Sequence, residues 1–454
     1  MKQLPFKPLL LAVSVPFTFL QSSAQKPVRL ITLDPGHFHA ALVQKTMYPD
    51  VDPTVHVYAP AGPDLQAHLD RVKAYNSRSE SPTKWKEVVY TGPDYLEKML
   101  AQKKGNVVVL SGNNQKKAEY ILKSLQGGFH VLADKPMAID ATGFELLKQA
   151  FAIAEKKKLL LYDIMTERFE ITSILMRELA LMPDLFGTLQ TGTAADPSVV
   201  KESVHYFYKY VSGNVLTRPQ WFFDVAQQGN GIADVMTHIV DLAQWECFPG
   251  KAIDYTKDIQ LLSAKRWTTP LSLRQFQTLT KTDTFPSYLK DAVTADTMLN
   301  VYSNGEIRYR LRGVYVKTAV VWNYAAPEGS GDQYSALMRG TKTTLLIKQG
   351  AEEGYKPTLY IQPFPATRRS EIEEAFKGLQ TKYPGVELKK VAAGWQVSIP
   401  DQYKEGHEEH FARVTQNFLS YLKNRNMPSW EVPNMLAKYY LTNKALEVAR
   451  KNNP

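Results

Sequence analysis

Residues 107–136 read VVVLSGNNQKKAEYILKSLQGGFHVLADKP. Four consecutive apolar residues end at the polar turn Ser111-Gly112-Asn113-Asn114, and a helical stretch runs over 115–125. A second apolar run, 131–133, stops at Asp134-Lys135-Pro136. A short run with no polar alternate suits a strand covered on both faces. Strand, helix and strand in that order call for a right-handed crossover, so both strands should lie parallel in one sheet.

The same rhythm extends both ways. Upstream, an apolar run at 28–33 ends at Asp34-Pro35-Gly36, with a helix from about residue 40, a strand at 55–58 and helices at 64–73 and 94–103. The polar stretch 74–84 between them reads as a surface insertion. Downstream come a helix at 141–156 and a strand at 159–162. These elements predict an α/β, Rossmann-like domain with an open parallel sheet over 26–165. Beyond it the rhythm changes. Helices are expected at 171–181, 232–246, 407–423 and 433–450, with strands between, including 340–347 and 358–361. Asn304-Gly305 divides two alternating runs within 297–311 and predicts a hairpin turn. Residues 166–454 therefore read as an α+β domain with a mainly antiparallel, open-faced sheet.

The first 25 residues have the form of an export leader. Lys2 and Lys7 precede an apolar run over 9–20, and Ser22-Ser23-Ala24 supplies small residues for cleavage. The expected location is the periplasm. That run is too short to span a bilayer as a permanent helix, and no later segment comes closer, so no membrane anchor is expected. Cys247 is the only cysteine, which excludes an intrachain disulfide. The net charge of +10 is dispersed, with no basic stripe interleaved with aromatics, which argues against a nucleic-acid partner.

Ligands of open parallel sheets bind beyond the carboxyl ends of the strands. Three turns reach that edge. The first carries Gly36, His37 and Phe38, where a dinucleotide would want glycines to let backbone N–H groups approach its phosphates. Only one glycine is present, and no acidic residue directly follows the strand at 55–58 to meet a ribose. His37 and His39 alternate as metal ligands can, but no third ligand is evident and no metal is expected. The second turn offers Ser111 and Asn113 to a nicotinamide or ribose, and an ordinary helix cap explains them equally well. The third places Asp134 and Lys135 at the mouth of the cleft. In the second domain, Gly229-Asn230-Gly231 precedes a helical stretch on which Asp234 and His238 share one face, with Asp241 a turn further.

These motifs in this order resemble the glucose–fructose oxidoreductase / inositol dehydrogenase family, often written Gfo/Idh/MocA. Its Glu-Lys-Pro motif is matched by Asp134-Lys135-Pro136, its Asp-x-x-x-His helix by Asp234 and His238, and its Arg-Phe pair by Arg168-Phe169. The resemblance implies NAD or NADP, tightly bound in an exported member, and a small-molecule carbohydrate substrate. It assigns Lys135 to polarise the reacting hydroxyl, His238 to exchange its proton and Asp234 to orient the substrate. It also implies a homo-oligomer built on the open sheet face. Three activities are open: oxidation of a sugar, polyol or glycoside hydroxyl; glycoside hydrolysis with NAD recycled on the enzyme; and cofactor-free carbohydrate binding or assembly. The incomplete glycine pattern favours the last, and the joint presence of Lys135, Asp234 and His238 favours the first two.

Overall fold

The computed structural model describes residues 27–211 and 214–452. The leader expected at 1–25 lies outside them. The first sheet contains β1 (Leu30–Leu33), β2 (Thr54–Tyr58), β3 (Lys86–Tyr90), β4 (Val107–Leu110), β5 (His130–Asp134) and β6 (Leu161–Ile164). Their order is β3-β2-β1-β4-β5-β6 and every pair is parallel. The connecting helices are α1 (His39–Leu42), α2 (Pro63–Ser77), α3 (Tyr95–Gln102), α4 (Lys117–Gly127) and α5 (Ala141–Lys157). All four residues of β1, β4 and β6 are buried, as strands covered on both faces require.

The stretch 74–84 is not simply an insertion. α2 continues through Ser77, and β3 follows as an edge strand that the sequence reading missed. An edge strand needs no continuous apolar run: Lys86, Val88 and Val89 are exposed.

After α6 (Ile171–Ala180) the chain builds a second sheet. It comprises β7 (Val199–Tyr208), β10 (Ile259–Ser272), β11 (Val293–Thr294), β12 (Met298–Leu311), β13 (Val314–Ala325), β14 (Gln333–Arg339), β15 (Thr343–Lys348), β16 (Thr358–Pro363), β17 (Glu387–Val391) and β18 (Gly394–Ser398). A separate ribbon pairs β8 (Tyr210–Val211) with β9 (Asn214–Val215). The main path runs β10-β12-β13-β7-β14-β15-β16-β18-β17, and only β7 and β13 pair in parallel. α7 (Met236–Cys247), α8 (Leu273–Thr280) and α9 (Arg369–Lys382) belong to this half. Of the closing helices, α10 (His407–Asn424) returns to the first domain, where Phe411, Val414 and Phe418 join its core, while α11 (Glu431–Asn452) contributes to both cores.

The hairpin expected at Asn304-Gly305 is absent. β12 runs straight through it, with Gly305 opposite both Arg266 and Val320. The turn lies instead at Arg312-Gly313, both with positive φ (+49° and +89°). Gly305 serves a close approach: a Cβ there would lie 2.3 Å from Ile232 Cγ1, in the loop that enters α7.

Candidate active site

The carboxyl ends of β1, β4 and β5 face the loop before α7. Lys135 is the first residue beyond β5, and its ammonium pairs with Asp234 across the domain junction (Nζ–Oδ1 2.7 Å). Gln228 donates to the other Asp234 oxygen at 2.9 Å. Burial alone would lower the Lys135 pKa, but the Asp234 and Asp134 carboxylates outweigh it and hold the group above the usual lysine value. The lysine therefore stays charged at neutral pH.

Asp234 precedes α7 rather than sitting within it. Gly231 presses the loop onto β12: a Cβ there would lie 1.8 Å from the Ser303 carbonyl oxygen. The chain turns tightly, with Asp234 N–H donating to Asn230 O at 2.9 Å, and the helix begins at Met236. His238 lies in its first turn, half-buried. Among the described residues neither ring nitrogen has a hydrogen-bond partner, and Nδ1 is shut from solvent. Burial first, then the Lys135 ammonium and His407, hold its imidazole well below the usual histidine value, so the ring is neutral and able to accept a proton.

Asp241 does not join this group. It accepts two bonds from Arg168 (Nε 2.6 Å, Nη2 2.7 Å) and one from Lys438 Nζ at 2.9 Å. Arg168 Nη1 also reaches both Glu431 oxygens at 3.0 Å, and Lys438 pairs with Asp163 of β6 at 2.6 Å. Arg168 and Asp241 thus clamp α7 and α11 to the end of the first sheet. Their role is positional.

The first domain supplies a second polar group. His39 Nδ1 and Ser111 Oγ each lie 2.9 Å from Asp134 Oδ2, and His37 Nδ1 stands at 3.7 Å from it. The third donor that the sequence did not reveal is therefore Asp134, brought by β5, and the His37, His39 and Asp134 atoms lie within 4.8 Å of one another. Lys117 donates to the Asp134 carbonyl at 3.1 Å, and the charges of Lys117 and Lys135 help hold both imidazoles low, after burial as the main cause. Two ammonium groups beside the trio oppose a further cation, so the arrangement reads as a hydrogen-bonded cluster. Asn113 faces the domain junction, where it donates to Gln227 Oε1 at 2.8 Å.

Gly36, His37 and Phe38 line a cavity of about 590 Å³ at the ends of β1 and β2. Asp64 enters it from the first turn of α2 and accepts from Trp221 Nε1 at 2.7 Å. No acidic residue directly follows β2, but Asp64, six residues later, faces this cavity. Trp221 borders this cavity, whereas Trp267 lies 38% exposed on β10.

Sequence reasoning also missed Glu167, His205, Lys209, Asp332 and His407. They are scattered along the chain, and no spacing signals them. His205 Nδ1 meets Asp332 Oδ2 at 2.8 Å, Lys209 pairs with the same oxygen, and His407 Nε2 lies 3.3 Å from His39 Nε2. Burial, then Glu170, pushes the Glu167 carboxyl up to about 7. The Lys135 charge acts on Glu167, Lys209 and His407, so all three lie near it.

Comparisons with known proteins agree with this fold. Residues 39–163 match the family model described as "Oxidoreductase family, NAD-binding Rossmann fold", and residues 175–450 match "Putative oxidoreductase C terminal domain". No curated protein matches. A crystal structure described as a "putative oxidoreductase" from Parabacteroides merdae is 52% identical, covering 94% of this chain and 98% of its own, with a TM-score of 0.92. Two more distant structures share the fold. A 3-ketoreductase from Actinomadura kijaniata, in complex with NADP and TDP-benzene, is 14% identical over 91% of this chain and 96% of its own, with a TM-score of 0.55. A "putative myo-inositol dehydrogenase" from Sinorhizobium meliloti is 14% identical over 94% and 98%, with a TM-score of 0.53. On its two matched halves and this near relative, the chain belongs to the glucose–fructose oxidoreductase / inositol dehydrogenase family of oxidoreductases.

Proposed function

We propose that the protein is an exported NAD(P)-dependent oxidoreductase acting on a hydroxyl of a sugar, polyol or glycoside. The observation that carries this reading is the Lys135–Asp234 ion pair spanning the two domains, with a neutral, unpartnered His238 beside it. A nicotinamide cofactor fits the residues present. The cavity at the β1 and β2 ends has the size of a small-molecule site, and Asp134 Oδ1 is buried without a partner among the described residues. Gly36, His37 and Phe38 would hold the group at the turn, with Ser111, Asn113, Asp134 and Lys135 toward its reacting end. When bound, it supplies the hydride acceptor.

The remaining work falls to side chains. Lys135 donates a hydrogen bond to the reacting oxygen and stabilises the charge that develops there, more strongly in a dry cleft than in water. His238 takes the hydroxyl proton; Nδ1 is closed off, so Nε2 is the nitrogen left to meet a substrate. Asp234 fixes the lysine and accepts from a neighbouring hydroxyl. Glu167 favours a second reading, redox-neutral glycoside hydrolysis. A carboxyl held near 7 can both donate and accept a proton, as elimination and water addition require.

Two measurements test these readings. Mass spectrometry of the denatured protein should find NAD or NADP near one per chain, and its absence together with no binding of added cofactor would sink both. Consumption of added oxidised cofactor in step with product identifies net oxidation, whereas turnover without consumption identifies hydrolysis. Secreted protein beginning near Gln25 would support export.

A further inference from the structure

Arg218 lies in the wall of the cavity beside the β1–α1 turn. It is 6% exposed. Its Nε donates to the Phe207 carbonyl at 2.9 Å and its Nη2 to the Tyr206 carbonyl at 3.0 Å. Phe222 and Trp322 flank the guanidinium, with ring centroids at 4.4 and 5.3 Å. Among the described residues no carboxylate lies within 4 Å of it. Burial pushes its pKa down to about 10, with Asp332 and Asp234 acting from further away, so it remains charged at neutral pH. A cation buried among neutral partners is costly unless an anion joins it.

Arg71 of α2 borders the same cavity, and its one side-chain hydrogen bond among the described residues, Nη1 to the Ala67 carbonyl at 3.0 Å, is to a neutral group. The backbone nearby is poorly equipped for phosphates. α1 has only four residues, and Asp34 rather than glycine takes the positive φ (+48°) at the end of β1. The two carboxyls facing the cavity are already engaged: Asp34 accepts from Tyr120 Oη at 3.0 Å and Asp64 from Trp221. Acids suit ribose hydroxyls, and paired arginines suit a diphosphate, whose oxygens the guanidinium fork matches.

We propose that Arg218, with Arg71, forms the diphosphate-recognition site of this cavity, so that side chains from both domains hold the cofactor's phosphates in place of a glycine turn. The proposal rests on the nicotinamide-cofactor reading for the identity of the ligand, and on the unpaired arginines for its chemistry. It makes dinucleotide affinity a property of the closed, two-domain chain.

The test is equilibrium titration of the full-length mature protein with NAD, ADP and adenosine, followed by Trp fluorescence and calorimetry. ADP should bind more tightly than adenosine. Arg218→Gln should weaken ADP and NAD about 10- to 100-fold, the worth of one to two charge-assisted hydrogen bonds, while adenosine changes less than about twofold. Arg218→Lys should recover part of the loss, and Arg71→Ala should lose about 10-fold. If Arg218→Gln fails to fold, Arg71→Ala and Arg218→Lys carry the test. Equal binding of ADP and adenosine, or NAD affinity untouched in both variants, overturns the arginine site and leaves the oxidoreductase reading standing. Arginine-dependent binding of a sugar acid or sugar phosphate, with ADP not competing, overturns it by assigning the anion to the substrate. Failure of the wild type to bind ADP or NAD overturns both.

Discussion

Gly231→Ala tests whether the close approach of the α7 entry loop to β12 builds the site. The new Cβ would stand 1.8 Å from the Ser303 carbonyl oxygen and 3.1 Å from the Asn304 backbone nitrogen. Backbone on a central strand cannot swing aside like a flexible side chain, so the loop must retreat by more than an ångström. Overpacking of this kind costs about 1–3 kcal/mol. For a protein with domains this large, that corresponds to a fall in Tm of roughly 3–10 °C. The displacement also acts on Asp234 and His238, three and seven residues on, and a shift of that size at reacting groups costs about 100-fold in kcat. The assay pairs thermal denaturation with steady-state rates. Gly378→Ala is the control: nothing lies within 4 Å of a Cβ at this exposed position in α9, and it should gain about 0.5–1 kcal/mol with unchanged kcat. A Gly231→Ala protein with wild-type Tm and kcat would refute the argument.

His238→Ala should leave the melting curve intact and lower kcat by about 10²- to 10⁴-fold, and an unchanged rate would remove His238 from the chemistry. Because its folded-state pKa is depressed, the base form persists below pH 6.5, so kcat/KM should stay flat through that value and fall only in more acidic solution; a fall centred at 6.5 contradicts the site's electrostatics. His68 is 3% exposed, neither ring nitrogen has a partner among the described residues, and burial, helped by Arg71, lowers its pKa to about 4. A depressed histidine contributes stability that is present above its unfolded pKa and lost as pH falls, here about 3 kcal/mol between pH 6.5 and 4. His68→Leu should therefore move the acid-unfolding midpoint to lower pH, which circular dichroism would show; an unmoved midpoint counts against it. Asp241→Asn leaves Arg168 and Lys438 short of a buried carboxylate, and should cost about 3–5 kcal/mol in chemical denaturation. A loss below about 1 kcal/mol would show that the clamp is not structural.

Much of this molecule could be read along the chain. The parallel sheet follows from apolar runs such as Val107–Leu110, because a strand covered on both faces has no polar alternate. Lys135 and Asp234 were legible because each sits at a motif, although their ion pair was not. What escaped has common causes. β3 is an edge strand with exposed valines, so it lacks the buried pattern. Asn304-Gly305 resembles a turn because turns and close backbone approaches both need glycine, and only the three-dimensional position of Ile232 separates them. Asp134 as the partner of His39, and Asp64 over Gly36, depend on which strand ends meet. Glu167, Lys209 and His407 reach the cleft from three separate segments, a juxtaposition that topology alone creates.

The central claim is that Lys135, Asp234 and His238 oxidise a carbinol with a nicotinamide cofactor. Its most direct test follows the ultraviolet absorbance of reduced cofactor in one turnover, with the cofactor-loaded protein mixed in turn with sugars, polyols and glycosides. The account predicts that at least one such substrate produces reduced cofactor in the wild type, and that Lys135→Met and His238→Ala, loaded to the same extent, produce it at least about 100-fold more slowly. Reduction at the wild-type rate in either variant would contradict it.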